Sequence, residues 1–116
     1  MIIIYKNKKI EKQCKDYREA KKTYNDNVAE KLHSVINFIE NSESLMDVKN
    51  MPSFHLHPLS GDRKGTYAID LGRRLGYRLI VIPLDNEQKQ WTINDVNEIY
   101  KCTSVVIAVE VTNHYE

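Results

Sequence analysis

The side chains best suited to acid–base and phosphate chemistry are concentrated in residues 54–84 of this chain. Two histidines, His55 and His57, precede the turn sequence Ser60-Gly61-Asp62. Five Lys and Arg residues against two acidic residues give this stretch a net charge of +3, whereas the whole chain carries only +1. A local excess of positive charge favours the binding of phosphate or of an acidic partner. The stretch is therefore the first candidate for a functional site.

His57 is the first candidate for proton transfer, because an imidazole titrates near pH 6.5 and can act as acid or base. The alternative is a surface histidine beside Pro58. His55 lies two residues earlier, so an extended backbone would place both imidazoles on one side. His55 and His57 could form a His-x-His metal pair, but the sequence offers no third ligand. The alternatives for His55 are a residue that supports the site or a residue that is simply exposed. We expect no metal and no cofactor.

Arg78 lies inside an apolar stretch, where an unpaired charge would cost several kcal/mol. It therefore lies at the rim of a phosphate site, or it forms a structural ion pair with Asp70 or Glu110. Glu110 is itself a charge within an apolar strand pattern and is expected to orient an arginine. The other basic residues lie beside glycines at predicted turns, where they either contact a phosphate or are simply solvated: Arg63, Lys64, Arg73 and Arg74.

A β-hairpin is predicted to carry these side chains. Residues 66–71 alternate, with Tyr67, Ile69 and Leu71 on one face and Thr66, Ala68 and Asp70 on the other. Gly72 and Gly76 then allow the chain to reverse around a cationic turn. Residues 77–83 are nearly all apolar, as in a strand covered on both faces. His57 lies in the loop that leads into the hairpin.

The remaining patterns predict two strands and four helical segments. Residues 2–5 and 104–112 are rich in β-branched residues, and in the second run Val105, Ile107, Val109 and Val111 share one face. Helical periodicity extends over residues 8–24 and 27–40, with Asn27 and Glu30 resembling a capped start. Residues 45–48 form a helical turn, and residues 92–101 a short helix that buries Ile93 among others. The layout predicts an α+β fold, with two N-terminal helices packed on a small, mostly antiparallel sheet.

The predicted inward faces of the helices follow the same spacing. In the first helix they comprise Ile10, Cys14, Tyr17, Ala20 and Tyr24. In the second they comprise Val28, Leu32, Val35, Ile36 and Ile39, and in the last helix Ile93, Val96, Ile99 and Tyr100.

Length and composition exclude several classes of protein. A chain of 116 residues with 41% hydrophobic and 28% charged residues is typical of one globular domain, spanning residues 1–116. No apolar run approaches the ~20 residues of a membrane span, and the N-terminus lacks the pattern of a secretory signal. Cys14 and Cys102 lack metal-type spacing, so we expect two reduced thiols in a cytoplasmic protein.

Three groups of residues resemble the RelE/ParE superfamily of bacterial toxins, and most closely its HigB-like branch. The series His57-Pro58-Leu59-Ser60-Gly61-Asp62-Arg63-Lys64-Gly65 is the most specific. It is followed by Tyr77-Arg78-Leu79-Ile80, and preceded in the helices by Ala20-Lys21-Lys22-Thr23-Tyr24 with Ala29-Glu30-Lys31. The resemblance covers nearly the whole chain and implies the same α+β fold.

The resemblance implies cleavage of mRNA on the ribosome without a metal, by attack of the RNA 2′-OH on the adjacent phosphate. It implies catalytic roles for His57, Arg78, His114 and Tyr115. Contacts to RNA are expected from Arg63, Lys64, Arg73, Arg74 and Asn113. The implied partners are the ribosome, mRNA and a HigA-like helix-turn-helix antitoxin that holds the toxin inactive in a heteromeric complex.

The sequence departs from the superfamily pattern at its C-terminal end. A D-Y-H-like triplet common in the family is replaced by Asn113-His114-Tyr115, so a carboxylate becomes an amide and the two rings are exchanged. Ile82 and Pro83 stand where the central strand of family members often carries a second basic or acidic residue, and residues 85–103 resemble an insertion. Two alternatives therefore stay open: a ParE-like gyrase poison without nuclease chemistry, and an inactive homologue that binds its antitoxin. The tail itself either stacks on a base or is a frayed chain end.

Overall fold

The computed structural model describes residues 1–72 and 74–113. Its helices are α1 Lys8–Lys15, α2 Tyr17–Thr23, α3 Asp26–Glu40, α4 Leu45–Lys49 and α5 Val96–Cys102. Its strands are β1 Ile2–Tyr5, β2 His57–Pro58, β3 Tyr67–Asp70, β4 Arg78–Leu84 and β5 Val105–Thr112. Single 3-10 turns lie at Pro52–Phe54 and Gly61–Arg63. Within the described ranges, no helix is long and apolar enough to cross a bilayer.

The five strands form one sheet in the order β1-β5-β4-β3-β2. Only the β1–β5 pair is parallel, and the other three pairs are antiparallel. All five helices contribute to one hydrophobic core, where they meet alternate residues of the strands such as Ile69, Leu79 and Val81. The predicted α+β architecture of helices on a mostly antiparallel sheet is confirmed. The predicted inward face of α3 is also confirmed, because all five of its residues are buried.

The opposite face of the sheet, away from the helices, contains the charged side chains of the central strands. Ala68, Asp70, Arg78, Ile80 and Glu110 lie on this face, which we call the outer face. Ala68 pairs with Ile80 and Asp70 pairs with Arg78, so the predicted division of β3 into two faces is confirmed. None of these five side chains belongs to the hydrophobic core under the helices.

The first predicted helix is in fact two helices. Asp16 has an extended backbone, with φ −115° and ψ 108°, and its carboxylate caps α2 by accepting from the Arg18 backbone N–H. An Asp in this position favours the break because its side chain competes for backbone donors. The bend leaves Tyr17 41% exposed, so the prediction that Tyr17 lies in the core is wrong. The N-cap of α3 is Asn25, two residues before the predicted Asn27, so the helix begins at Asp26.

A β-bulge in β5 determines which residues reach the outer face. Ile80 and Val81 are adjacent in β4, yet they pair with Glu110 and Ala108, so Val109 is the extra residue. A bulge inverts the alternation beyond it. Val111 therefore packs against the core beside the helices, contrary to the prediction that it shares a face with Val109. The same inversion sends Glu110 to the outer face.

The segment between β4 and β5 is less helical than predicted. Asp95 caps α5 by accepting from the Glu98 N–H, so the helix begins at Val96 rather than near Thr92. Ile99 and Tyr100 are buried as predicted. Ile93 precedes the helix and is 42% exposed, so its predicted burial is wrong.

Candidate active site on the outer face of the sheet

Three predicted site residues line one cavity on the outer face. His57, Arg63 and Arg78 line a space of about 340 Å³, together with residues 58–60 and Ile80. The three come from β2, from the Gly61–Arg63 turn and from the first residue of β4. We call this space the His57 cavity. Two guanidinium groups and an imidazole suit a site that binds a phosphate and moves a proton.

The imidazole of His57 is oriented by the backbone. His57 lies in the edge strand β2, paired with Ala68, and not in a loop as predicted. Its Nδ1 lies 2.7 Å from the carbonyl oxygen of His55. Because a carbonyl oxygen only accepts, Nδ1 carries a proton and donates it. The neutral ring then presents the lone pair of Nε2, which is the arrangement that a general base requires.

His55 reaches this position through an uncommon backbone conformation. Its φ of 45° and ψ of 46° lie in the left-handed region, which non-glycine residues rarely occupy. Such conformations cost about 1–3 kcal/mol and are often found at functional sites. The two imidazoles stack at 4.5 Å with 28° between their planes. They share a side as predicted, but the extended backbone assumed between them is wrong.

Arg78 is held by a carboxylate and also lines the cavity. Its Nε lies 3.5 Å from Asp70 Oδ1, and the two residues are directly opposite in β4 and β3. The other carboxylate oxygen, Oδ2, lies 3.5 Å from His55 Nδ1. The ion pair with Asp70 left open by the sequence is therefore present, and the Arg78 side chain also lines the cavity. Within the described residues, no group of three His, Cys, Asp or Glu is arranged to hold a metal.

Arg63 reaches the cavity from a compact turn. Gly61 and Gly65 have φ of 65° and 93°, which favours glycine at both positions. The Thr66 hydroxyl donates to the Arg63 carbonyl at 2.6 Å and closes the turn. Arg63 Nη2 then donates to Glu110 Oε2 at 3.1 Å. The expectation that Glu110 orients an arginine is confirmed, with Arg63 as the partner.

Lys64 and Arg74, two other predicted RNA contacts, do not line the His57 cavity. Lys64 follows Arg63 but lines a different cavity. Arg74 is exposed in the turn between β3 and β4 and lies beside the start of α3, in a depression that also includes Lys31. Arg73 lies outside the described residues.

Strand β5 ends beside Arg78. Thr112, the last residue of β5, is the direct partner of Arg78 in β4. Asn113 follows it and is exposed. His114 and Tyr115 lie outside the described residues, so their predicted roles stay predictions.

Sequence patterns missed two features of this region. The His55 carbonyl that orients His57 depends on one backbone conformation, and no residue-type signal marks it. Trp91, which the sequence patterns did not indicate, lines the same cavity as Lys64. It is the only tryptophan of the chain and lies in the otherwise polar segment after β4, which was the available signal.

Comparison with known proteins identifies a related fold. No protein-family model matches the sequence, and no curated protein matches it. Among solved structures, the chain is similar to a YoeB/ParE toxin from Agrobacterium tumefaciens, with a TM-score of 0.53 and 15% sequence identity. The match covers 99% of this chain and 100% of that toxin. At this identity the likeness concerns the backbone, and it shows that this chain has the fold of a RelE/ParE-type toxin.

Proposed function

We propose that this protein is the toxin of a type II toxin–antitoxin system, HigB-like in its sequence motifs, that cleaves mRNA on the ribosome. The observation that carries the proposal is the convergence of His57, Arg63 and Arg78 on one cavity. The fold shared with a YoeB/ParE toxin supports the same class of protein. The proposed site for ribosome-bound mRNA is the outer face of the sheet.

The proposed reaction uses only groups of the protein and the RNA. His57 Nε2 accepts the proton of a ribose 2′-OH, and the 2′-oxygen forms a new bond to the adjacent phosphorus. The bond from phosphorus to the 5′-oxygen breaks, which leaves a 2′,3′-cyclic phosphate on one fragment. Arg63 and Arg78 stabilise the negative charge that accumulates on the phosphate oxygens, since a planar guanidinium can donate to two of them.

A proton must also reach the departing 5′-oxygen. His114 and Tyr115 are the proposed acid or base-stacking groups, because in the sequence they closely follow Thr112, the β5 residue directly opposite Arg78. Asn113 would contact RNA at the same end of the sheet. Lys64, Arg73 and Arg74 are proposed as contacts to neighbouring phosphates, which are sequence-independent and sensitive to salt.

The proposed partner is a HigA-like helix-turn-helix antitoxin that binds the toxin in the cytoplasm and prevents contact with the ribosome. A small helix-turn-helix protein encoded beside this chain would support that assignment. The antitoxin would cover or distort the cationic surface around Arg74 and Arg78.

A reconstituted translation reaction tests the proposal. Purified protein should produce new mRNA 5′ ends in primer extension only when the message is being translated, and the upstream fragments should end in a cyclic phosphate. Adding the antitoxin should abolish both products. Intact mRNA together with gyrase-dependent DNA breaks in cells would reject the nuclease and favour the gyrase poison. Intact mRNA and intact DNA, with antitoxin binding retained, would favour an inactive homologue.

A further inference from the structure

A second and larger cavity lies beside the first. It has a volume of about 500 Å³ and lies between residues 58–65 and residues 90–96. We call it the Trp91 cavity. Pro58, Leu59 and Ser60 line both spaces, so one short segment separates them. The volume lies within the range of small-molecule sites in proteins, which is about 300–1,000 Å³.

Trp91 is held in place by two consecutive hydrogen bonds. Its indole N–H donates to Thr103 Oγ1 at 3.0 Å, and that hydroxyl donates to the Ile99 carbonyl at 2.6 Å. The ring also packs against the hydrophobic core, although it stays partly exposed. A ring fixed in this way offers a stacking surface at little entropic cost, and unpaired bases commonly stack on such rings.

The polar groups of the Trp91 cavity suit an anionic ligand with hydrogen-bonding edges. Of the described residues that line it, Lys64 alone carries a charge. Gln90 and Asn94 add amide groups, each of which can both donate and accept. The Gln90 side chain lies close to the turn, since a Cβ at Gly65 would lie 3.5 Å from its Oε1. Arg63 and Lys64 are consecutive, yet they line the two different cavities.

We infer that the Trp91 cavity binds the base of an unpaired nucleotide, stacked on Trp91, with its phosphate at Lys64. The inference rests on the proposed function for RNA as the substrate, and it adds a subsite for a nucleotide near the cleaved bond. Residues 58–60 would then pass between two successive nucleotides of the message. Stacking supplies affinity for any base, and the two amides supply the means to prefer one base over another.

The fluorescence of Trp91 tests this inference directly, because the chain has no other tryptophan. Titration with AMP, GMP, CMP and UMP should quench the emission to saturation at millimolar concentration or below. Uncharged nucleosides should bind more weakly, and inorganic phosphate alone should cause no quenching. Lys64→Gln should weaken binding of the monophosphates about two- to five-fold, as expected for one exposed cation, and should leave nucleoside binding unchanged. Lys101→Gln is the charge-matched control, since this exposed lysine does not line the cavity, and it should bind as the wild type does.

A second variant tests the stacking. Trp91→Leu should weaken binding of the same nucleotides at least about five-fold, measured by ligand-observed NMR because the fluorophore is lost. Circular dichroism tests whether Trp91→Leu is folded. If this variant does not fold, the Lys64→Gln variant still tests the inference. No quenching by any mononucleotide at about 10 mM, where a millimolar site would be mostly filled, would overturn the inference. Quenching by phosphate alone to the same extent would also overturn it in favour of a simple anion site.

Three further outcomes distinguish this inference from a protein-docking site and from the proposed function. If the antitoxin changes Trp91 emission while nucleotides do not, the cavity is a protein-docking site and the inference is wrong. If nucleotides fail to bind but mRNA is still cleaved, the subsite is rejected while the nuclease proposal survives. If nucleotides bind as described but translated mRNA stays intact, the subsite is supported and the nuclease proposal fails.

Discussion

Replacing Asp70 by Asn removes a carboxylate charge that lies 3.5 Å from both Arg78 Nε and His55 Nδ1. The Asp70 side chain is only 10% exposed and that of Arg78 23% exposed, so water compensates the remaining cation incompletely. At 3.5 Å the Coulomb attraction to Arg78 is about 5 kcal/mol at an effective dielectric constant of 20, and about 1 kcal/mol in bulk water. Because the desolvation of both groups offsets part of this attraction, we expect Asp70→Asn to lower the free energy of unfolding by about 1–3 kcal/mol.

Urea denaturation followed by circular dichroism measures this change. Asp62→Asn is the matched control, because Asp62 is exposed in the turn before Arg63, and it should change stability by less than about 0.5 kcal/mol. A double-mutant cycle with Arg78→Gln then isolates the pair, since the second substitution should cost less once Asp70 has been replaced. If Asp70→Asn unfolds at the wild-type urea concentration, the account of how Arg78 is held on the outer face is wrong.

Three other predictions concern the whole protein, the exposed turn and the core. Expression of this chain alone should arrest bacterial growth, and co-expression of the antitoxin should restore it; normal growth with a high soluble yield would argue against a toxin. Replacing Arg73 and Arg74 together by Ala should weaken ribosome binding and reduce the salt dependence of the affinity, whereas unchanged affinity at every salt concentration would remove this turn from the interface. Burial raises the pKa of the Cys14 thiol to about 12 from 9.0, so the folded state retains the proton more tightly than the unfolded state. The free energy of unfolding should therefore be unaffected by this thiol below about pH 9 and should decrease above it, by about 2 kcal/mol at pH 10.5. Cys14→Ala should not show this decrease. Equal pH dependence of the two proteins in urea denaturation would contradict the prediction.

Periodicity was sufficient to predict the layers of the fold. Each strand and helix of substantial length was predicted because its buried residues recur at a regular spacing, as in α3 and β3. The failures occur where one residue interrupts the spacing. Asp16 breaks the first helix by capping the second, and Val109 is a bulge that period-two alternation cannot reveal. Both the helix break and the bulge depend on which local hydrogen bonds form. The hydrophobic periodicity of the flanking residues does not indicate either of them.

The candidate site was predictable in its residue types but not in its pairings. His57 and Arg78 were selected from their chemistry and their motif, and the structure places them on one cavity. The sequence left Asp70 and Glu110 as alternative partners for Arg78, because the choice depends on strand register. Register pairs Asp70 with Arg78, and the bulge then makes Glu110 available to Arg63. Trp91 joins the region only through the folding of residues 85–95, for which no periodic pattern exists.

The central claim is that His57 moves the proton that starts RNA cleavage. The most direct test compares the rate of mRNA cleavage by wild type, His57→Ala and His33→Ala in a translation reaction. His33 is the matched control, because its ring also bonds one backbone carbonyl, that of Gln13 at 3.1 Å, but it lies on α3 and lines neither cavity. Loss of a general acid or base should slow cleavage by His57→Ala about 10²- to 10⁴-fold, with its circular dichroism spectrum and antitoxin binding unchanged, while His33→Ala keeps its rate. Folded His57→Ala protein that cleaves translated mRNA as fast as wild type would contradict the claim.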